Sequence, residues 1–428
     1  MPRKSPVLAK LSPAIRKHFE QNEKREFVPG KTRIPLTVPT YGSEEVVEAL
    51  DSLLSTWVSM GKKVRRFEEL FAEYLGSKFA VMVNSGSSAN LLALSVLTNP
   101  ILHGRIEPGS EVITPAVTWV TTVYPIQNVG CVPVLVDVDL ETFNVLPEEV
   151  EKAVGPKTRA IMPVHLLGGA CRIDRVERLA EDRDLFVVED ACESTGAEFG
   201  GRKVGSFGDM GTFSFYMSHH ISTIEGGMVV TDDEELYEYL KAMRAFGWVR
   251  DLKDSKKHAE ENPGIDPRFL FVTSGYNLRP TEIQGAFGIH QIRKLDRFIS
   301  MRRRNAAYWN KRLKGYGDVL ILPREEEGTK HVYFGYPLTV KPDASFQREN
   351  LVSHLEKKGI ETRPIMAGNI AEQPVLKHTP HRVSGELKNS GVIMRRSFFF
   401  GNHNGVGPEE REYIADSIID FLDSTIKR

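Results

Sequence analysis

The sequence predicts an α/β protein with a mostly parallel seven-stranded sheet covered by helices on both faces, followed by a smaller C-terminal α+β unit. Three observations carry this expectation. Short β-rich apolar runs alternate with helical patterns between residues 79 and 246, and strand, crossover helix, strand is the order that produces a parallel sheet. A long segment of helical period, about 280–313, then reads as a connecting helix. After it the alternation stops, and strands and helices follow without the crossover rhythm. The division expected is an N-terminal arm over 1–40, a large domain over 41–295, and a small C-terminal domain over 296–428 led by the long helix.

Taken in order, residues 1–30 hold one weak amphipathic stretch, 11–19, and the breakers Pro29-Gly30, Pro35 and Pro39 make this segment an arm laid on the body. From Ser43 the apolar positions Val46, Val47, Leu50, Leu53, Leu54 and Trp57 keep helical spacing to near Gly61, and a second helix covers 67–75. The alternation runs strand 79–83, helix 89–97, strand 111–113, helix 117–129, strand 132–137 and helix 147–154. It continues with strand 160–164, helix 173–181, strands 185–189, 211–216 and 228–231, and helix 234–246. The C-terminal part is expected to hold strand 332–339, helix 346–358, an extended run 360–364 and a last helix 409–427.

Composition excludes several classes of function. With 428 residues, 41% hydrophobic and 26% charged, the chain is long enough for a large core and shows no disorder signature. Its 56 basic and 57 acidic residues leave a formal net charge of -1, so nothing in the bulk charge favours nucleic acid or an anionic membrane. Any anionic ligand must be held locally. No run reaches the roughly 18 apolar residues of a membrane span, and the first thirty residues lack an apolar signal region. Cys131, Cys171 and Cys192 form no C-x-x-C pair, which argues against a disulfide framework or a zinc ribbon and places the protein in a reducing cytoplasm.

Three stretches carry chemistry. Asn84-Ser85-Gly86-Ser87-Ser88-Ala89-Asn90 follows the first strand and opens a helix, where small residues let backbone amides hold a phosphate; an ordinary helix-capping turn is the competing reading. The strand 185–189 delivers Glu189 and then Asp190 at its C-terminal edge, the side on which α/β sheets bind ligands, and Trp119 follows strand 111–113 at a similar edge. Between Ser214 and Gly227 lies His219-His220, which as an isolated pair reads as two loop residues. His378 and His381 have ligand-like spacing without a neighbouring carboxylate pattern, and a loop is favoured over a metal site.

Placed in sequence order, Gly86-Ser87-Ser88, Trp119, Glu189-Asp190, Ser214-Phe215, His219, Glu225-Gly226-Gly227 and 275–286 (Gly-Tyr-Asn-Leu-Arg-Pro-Thr-Glu-Ile-Gln-Gly-Ala) form a set that resembles the DegT/DnrJ/EryC1/StrS sugar aminotransferases, which are fold-type I pyridoxal phosphate enzymes. The resemblance runs from about Pro35 to the C-terminus. It implies that Gly86, Ser87 and Ser214 bind the cofactor phosphate, with Asn277 supplied across a homodimer interface that makes the active sites shared. By the same resemblance Trp119 stacks on the pyridine ring, Asp190 pairs with the ring nitrogen, and Glu193 stands near the cofactor. Trp57, Ser59, His165, His331, Tyr333, Arg363, Asn369 and Arg395 fall where the family meets a nucleotide-sugar substrate.

In the family's aminotransferases the residue five after the Ser of Ser-Phe, and six before Glu-Gly-Gly, is the lysine that binds the cofactor covalently. Both counts land on His219. Imidazole forms no stable imine with an aldehyde, so the cofactor is expected to bind non-covalently, chiefly as pyridoxamine 5'-phosphate, and neutral histidine is suited to take a proton. The replacement is similar to the family's histidine-containing sugar 3-dehydratases, which implies loss of the C3 hydroxyl from a nucleotide-linked 4-keto-6-deoxyhexose. Such enzymes act in deoxysugar biosynthesis for surface polysaccharides, including lipopolysaccharide O-antigen.

The phrases at 27–35, 83–92 and 218–221 are similar to the CDP-4-keto-6-deoxyglucose 3-dehydrase branch, whose members hold a 2Fe-2S cluster on four cysteines. Cys192 matches the first of the four, but Arg250-Asp251-Leu252-Lys253-Asp254 has no cysteine where the next two belong. A cluster needs about four thiolates or a histidine pair in place of two, so no Fe-S cluster and no metal is expected. The two electrons then come from converting pyridoxamine phosphate to pyridoxal phosphate, with glutamate restoring the amine, as in the GDP-4-keto-6-deoxymannose 3-dehydratase branch. Two other readings stay open: an aminotransferase-type enzyme or dehydratase acting on another keto sugar or natural-product intermediate, and a non-catalytic paralogue that binds cofactor or sugar nucleotide.

Overall fold

A computed structural model describes residues 6–22 and 26–426. Seven strands of the main sheet come from residues 79–231: β1 (Phe79–Val83), β2 (Glu111–Pro115), β3 (Val132–Val136), β4 (Thr158–Ile161), β5 (Phe186–Asp190), β6 (Met210–Ser214) and β7 (Gly227–Thr231). Their spatial order is β1-β7-β6-β5-β4-β2-β3. Strands β3, β2, β4, β5 and β6 run parallel, as the alternating pattern requires, whereas β7 is antiparallel to both β6 and β1. The sheet is therefore mixed. An eighth strand, Arg382–Val383, adds parallel to β3 from far along the chain. A two-residue strand has no period to read, which is why the sequence showed seven.

Helices cover both faces. The relevant ones are α1 (Pro6–Asn22), α2 (Ser43–Leu54), α3 (Lys62–Leu75), α4 (Gly86–Leu97), α5 (Val120–Asn128), α6 (Glu282–Gln291) and α7 (Leu295–Leu313). The helix expected to reach Gly61 ends at Leu54, because Ser55 caps it and Thr56 takes a left-handed φ of 60°. Leu53, Leu54 and Trp57 are exposed, so the last apolar positions of that pattern face no core. The long segment 280–313 is two helices, α6 and α7, joined by the 3-10 turn Ile292–Lys294. Among the described residues no helix is long and apolar enough to cross a membrane.

A second sheet has the order β8-β9-β11-β10, all antiparallel, from β8 (Leu320–Ile321), β9 (Gly335–Val340), β10 (Thr362–Pro364) and β11 (Ser397–Gly401). Strand β11, central and buried throughout, and the helix Lys388–Arg396 before it were not anticipated. The three phenylalanines 398–400 are a continuous apolar run, a pattern shared by a strand covered on both faces and a buried helix segment. Trp309 of α7 packs edge-on against Tyr336 and Phe400 at 5.0 and 4.9 Å and donates its indole N–H to the Arg411 carbonyl at 2.9 Å.

One aromatic cluster positions the functional end of the main sheet. Phe67 and Phe71 of α3 meet Phe213 and Phe215, at and just beyond the end of β6, with ring centroids 4.9 to 5.9 Å apart. All four rings are fully buried, and Ser214 between Phe213 and Phe215 consequently faces the other way. Truncating Phe71 to alanine leaves a cavity behind β6, and we expect Phe71→Ala to lower unfolding free energy by about 3–5 kcal/mol in urea titrations monitored by circular dichroism.

Candidate active site

The C-terminal ends of β1, β2, β5 and β6 open onto a cavity of about 610 Å3, closed on the far side by Phe334, Glu361, Arg363, Met366 and Phe399. Each strand contributes through the loop that follows it. After β1, Ser85 caps α4 by accepting the Ser88 N–H at 3.1 Å, and its carbonyl takes the Ala89 N–H. The amides of Gly86 and Ser87 in the first turn are left open to an anion at the positive end of the helix. Gly86 is required there: a Cβ would stand 2.5 Å from the Ser214 Cβ and 2.9 Å from its hydroxyl.

Asp190 ends β5 and is held from three sides. Its Oδ2 accepts from Asn90 Nδ2 at 2.9 Å and from Thr122 Oγ1 at 2.7 Å, while Oδ1 accepts from the Cys192 amide at 3.1 Å. Asn90 is oriented in turn by Thr212 Oγ1, and its amide also reaches the Thr121 carbonyl. A carboxylate has about four acceptor positions, so three donors leave one free toward the cavity that Asp190 lines. Its neighbour Glu189 points to the opposite face and takes the amides of Gly205, Phe207 and Gly208 and the His165 ring. Strand alternation thus assigns one carboxylate to the site and the other to the core.

Glu193 also lines the cavity and accepts the Leu167 amide at 2.8 Å. Burial pushes its carboxyl up to about 8, against that hydrogen bond and reinforced by the Asp190 charge. His219 stands on the loop after β6, half-buried, with its ring edge-on to Phe334 at 5.2 Å. Burial, together with the positive charge of Arg302, lowers its imidazole to about 4. His219 is therefore neutral at physiological pH. His220 turns inward, where its Nε2 faces the Val332 carbonyl at 3.2 Å.

The cavity brings together Gly86, Ser87, Trp119, Asp190, Glu193, Ser214, His219 and Arg363. Trp119 is half exposed at its rim, in an extended backbone that delays the start of α5 to Val120. The other anticipated residues do not line it. His165 is buried beneath the site against Glu189, and His331 and Tyr333 stack at 3.9 Å in the interior. Asn369 caps the turn Ile370–Glu372, and Arg395 is exposed and paired with Glu372. Trp57, Ser59 and Asn277 are exposed on neighbouring surface segments, Ser59 bridging to Thr281. Residues not singled out beforehand also line the cavity: Glu225, Thr118, Thr122, Tyr216 and Phe334. Of these only Glu225 had a signal, the Glu-Gly-Gly motif.

Residues 39–419 match the model of the DegT/DnrJ/EryC1/StrS aminotransferase family. The chain belongs to this family. A GDP-4-keto-6-deoxy-D-mannose 3-dehydratase from Yersinia pseudotuberculosis is 40% identical over 86% of this chain and 94% of its own length. A dTDP-4-dehydro-2,6-dideoxy-D-glucose 3-dehydratase from Saccharopolyspora spinosa is 37% identical over 96% of this chain and 91% of its own. Among solved structures, Escherichia coli GDP-4-keto-6-deoxy-D-mannose-3-dehydratase with bound hydrated PLP superposes with a TM-score of 0.85 at 39% identity, covering 90% of this chain and 99% of that one. For this DegT-family chain the Asp190 network gives a direct test. Thr122→Val removes one donor from a buried carboxylate, and we expect a loss of about 1.5–3 kcal/mol of stability at neutral pH by chemical denaturation.

Proposed function

We propose that this protein is a pyridoxamine/pyridoxal 5'-phosphate-dependent 3-dehydratase of a nucleotide-linked 4-keto-6-deoxyhexose. The observation that carries the reading is His219: a neutral imidazole stands in the cavity at the position where the family's aminotransferases have lysine. The cavity suits the cofactor. Gly86 leaves a cradle that any Cβ would fill, bounded by Ser214, with the open amides of α4 to receive a phosphate. Asp190 offers its remaining acceptor position to a protonated ring nitrogen, and Trp119 supplies an aromatic face at the rim. Bound non-covalently, the pyridoxamine form supplies a primary amine to condense with a sugar ketone and a ring that accepts an electron pair.

The chain's own residues do the rest. His219, neutral at physiological pH, takes a proton next to the reacting carbon and passes it to the departing C3 hydroxyl. Glu193 keeps its proton at neutral pH and acts as a hydrogen-bond donor inside the cavity. Phe334, Phe399 and Met366 exclude water on the far side, and Arg363 meets the anionic end of the substrate. Overall the C3 hydroxyl is replaced by hydrogen, glutamate becomes 2-oxoglutarate, and ammonia leaves. Atoms and electrons balance without a reductase or a metal cluster, which three scattered cysteines could not hold in any case.

The named dehydratase relatives support the reaction class, and their GDP- and dTDP-sugar names support a nucleotide-linked substrate. We read the working form as a cytoplasmic homodimer in which Asn277, with Trp57 and Ser59, reaches the site of a second copy; their exposure away from this chain's own cavity supports that role.

Incubation with a nucleotide 4-keto-6-deoxysugar, pyridoxamine phosphate and glutamate should yield a 3-deoxy sugar and 2-oxoglutarate, whereas an amine at C4 with the C3 oxygen retained would sink the reading. His219→Asn should lose about 100- to 10,000-fold in kcat, the range of a general base. His219→Lys should gain a borohydride-trappable covalent adduct with pyridoxal phosphate. The pH profile follows from the two shifts. Activity needs neutral His219 and protonated Glu193, so kcat/KM should fall below about pH 4 and above about pH 8, and Glu193→Gln should remove the alkaline limb.

A further inference from the structure

We propose that Arg302 is the positioning residue of this site: its buried guanidinium pins the Tyr333–Phe334 turn and thereby seats the His219 ring. The inference rests on His219 being the base. Arg302 lies on α7 and is 2% exposed. Arginine is almost never buried to that degree without an acidic partner. Here, among the described residues, no carboxylate lies within ion-pair reach of it. Its Nη1 instead donates to the carbonyls of Tyr333 at 3.0 Å, Phe334 at 2.7 Å and Asn402, and Asn402 donates back to the Arg302 carbonyl at 3.0 Å. Among the described residues its Nε has no partner.

The cation holds a strained segment. Tyr333 has a φ of 51°, a left-handed conformation that costs an aromatic residue on the order of 1–3 kcal/mol. The segment is pinned on its other edge as well, by the Val332 amide on the Gly168 carbonyl at 2.8 Å and the Phe334 amide on the Leu167 carbonyl at 2.9 Å. Phe334 then presents its ring to His219 at 5.2 Å and lines the cavity. The carbonyls of 333, 334 and 402 converge on the one Nη1 atom, and a lysine, with a flexible stem one bond shorter, does not hold its ammonium at that point.

The charge has a second effect in the same direction. A buried positive charge near His219 disfavours the imidazolium form, and the same influence reaches His220 and His403. Opposing groups face His219 from the remaining elements. Asp190 ends β5, Glu193 follows it and keeps its proton at neutral pH, and Glu225 lies on the histidine's own loop. Arg363, across the cavity, is paired with Glu361, and His331 is held neutral by burial.

Full-length Arg302→Met and Arg302→Lys proteins, labelled at histidine, allow His219 to be titrated by NMR without substrate, its resonance assigned by its loss in His219→Asn. In Arg302→Met the His219 midpoint should rise by at least about one pH unit, the scale of one lost charge interaction. In Arg302→Lys the midpoint should stay while kcat falls about tenfold or more at unchanged KM, the cost of a small misplacement of the base. Phe334→Ala, which spares the guanidinium, should show the same kcat loss and serves if Arg302→Met does not fold. A wild-type midpoint in folded Arg302→Met, or wild-type kcat in both Arg302→Lys and Phe334→Ala, overturns the proposal. If wild-type protein turns over no nucleotide 4-keto sugar, the functional reading fails, while the titration still decides whether Arg302 governs His219.

Discussion

The buried carboxylate of Asp190 is the constraint around which the site is organised. It ends β5, takes its hydrogen bonds from α4 through Asn90 and from α5 through Thr122, and is tied to β6 because Thr212 orients Asn90. Four elements therefore converge on one charged group. In a low-dielectric interior a network of this kind is stabilising only when every member is satisfied, so Asn90, Thr122, Thr212 and the turn at Cys192 hold one another in a single arrangement. The ends of β1, β2, β5 and β6 are drawn together by it, and the cavity lies where they meet.

Against that rigid floor, the two titratable walls carry opposite protonation. Glu193 keeps its proton because burial beside Asp190 resists a second negative charge, and His219 sheds its proton because burial and Arg302 resist a positive one. A donor and a neutral base thus coexist at the same pH. Such divergence between neighbouring groups is what acid-base chemistry on a bound substrate uses. Under the proposed function a lysine at 219 would join the cofactor covalently, whereas the histidine would leave the cofactor exchangeable and the imidazole free to act as base.

Much of the fold was legible because crossover helices and buried strands impose strong periods. The strands from Phe79 to Thr231 and the helices between them lay within a few residues of their expected places. What escaped was short or lacked a period: the two-residue strand at Arg382, and β11, whose run of three phenylalanines reads equally as core helix. The cavity lining was legible through the ordered motifs that carry Gly86, Asp190 and Ser214, and at Gly86 also because no Cβ fits there. It was illegible for Thr122 and Phe334, common residue types whose roles arise only from where the chain returns. Local phrases pointed to the CDP-sugar branch, whereas the relatives described above carry GDP- and dTDP-sugar names.

By itself the sequence determined the sheet-based fold class and the absence of enough cysteines for a cluster, since these depend on composition and on counting along one chain; the register of His219 came from the motifs that resemble the family. Tertiary structure decided which histidine faces the cavity, which of the paired carboxylates lines it, and what packs behind His219. His165, His331 and Tyr333 went to the interior, and Arg302, silent in the sequence, came to lie behind Phe334. The reason is physical: burial and hydrogen bonding act between residues brought together by packing, and separations such as that of Arg302 from Asn402 carry no local signal.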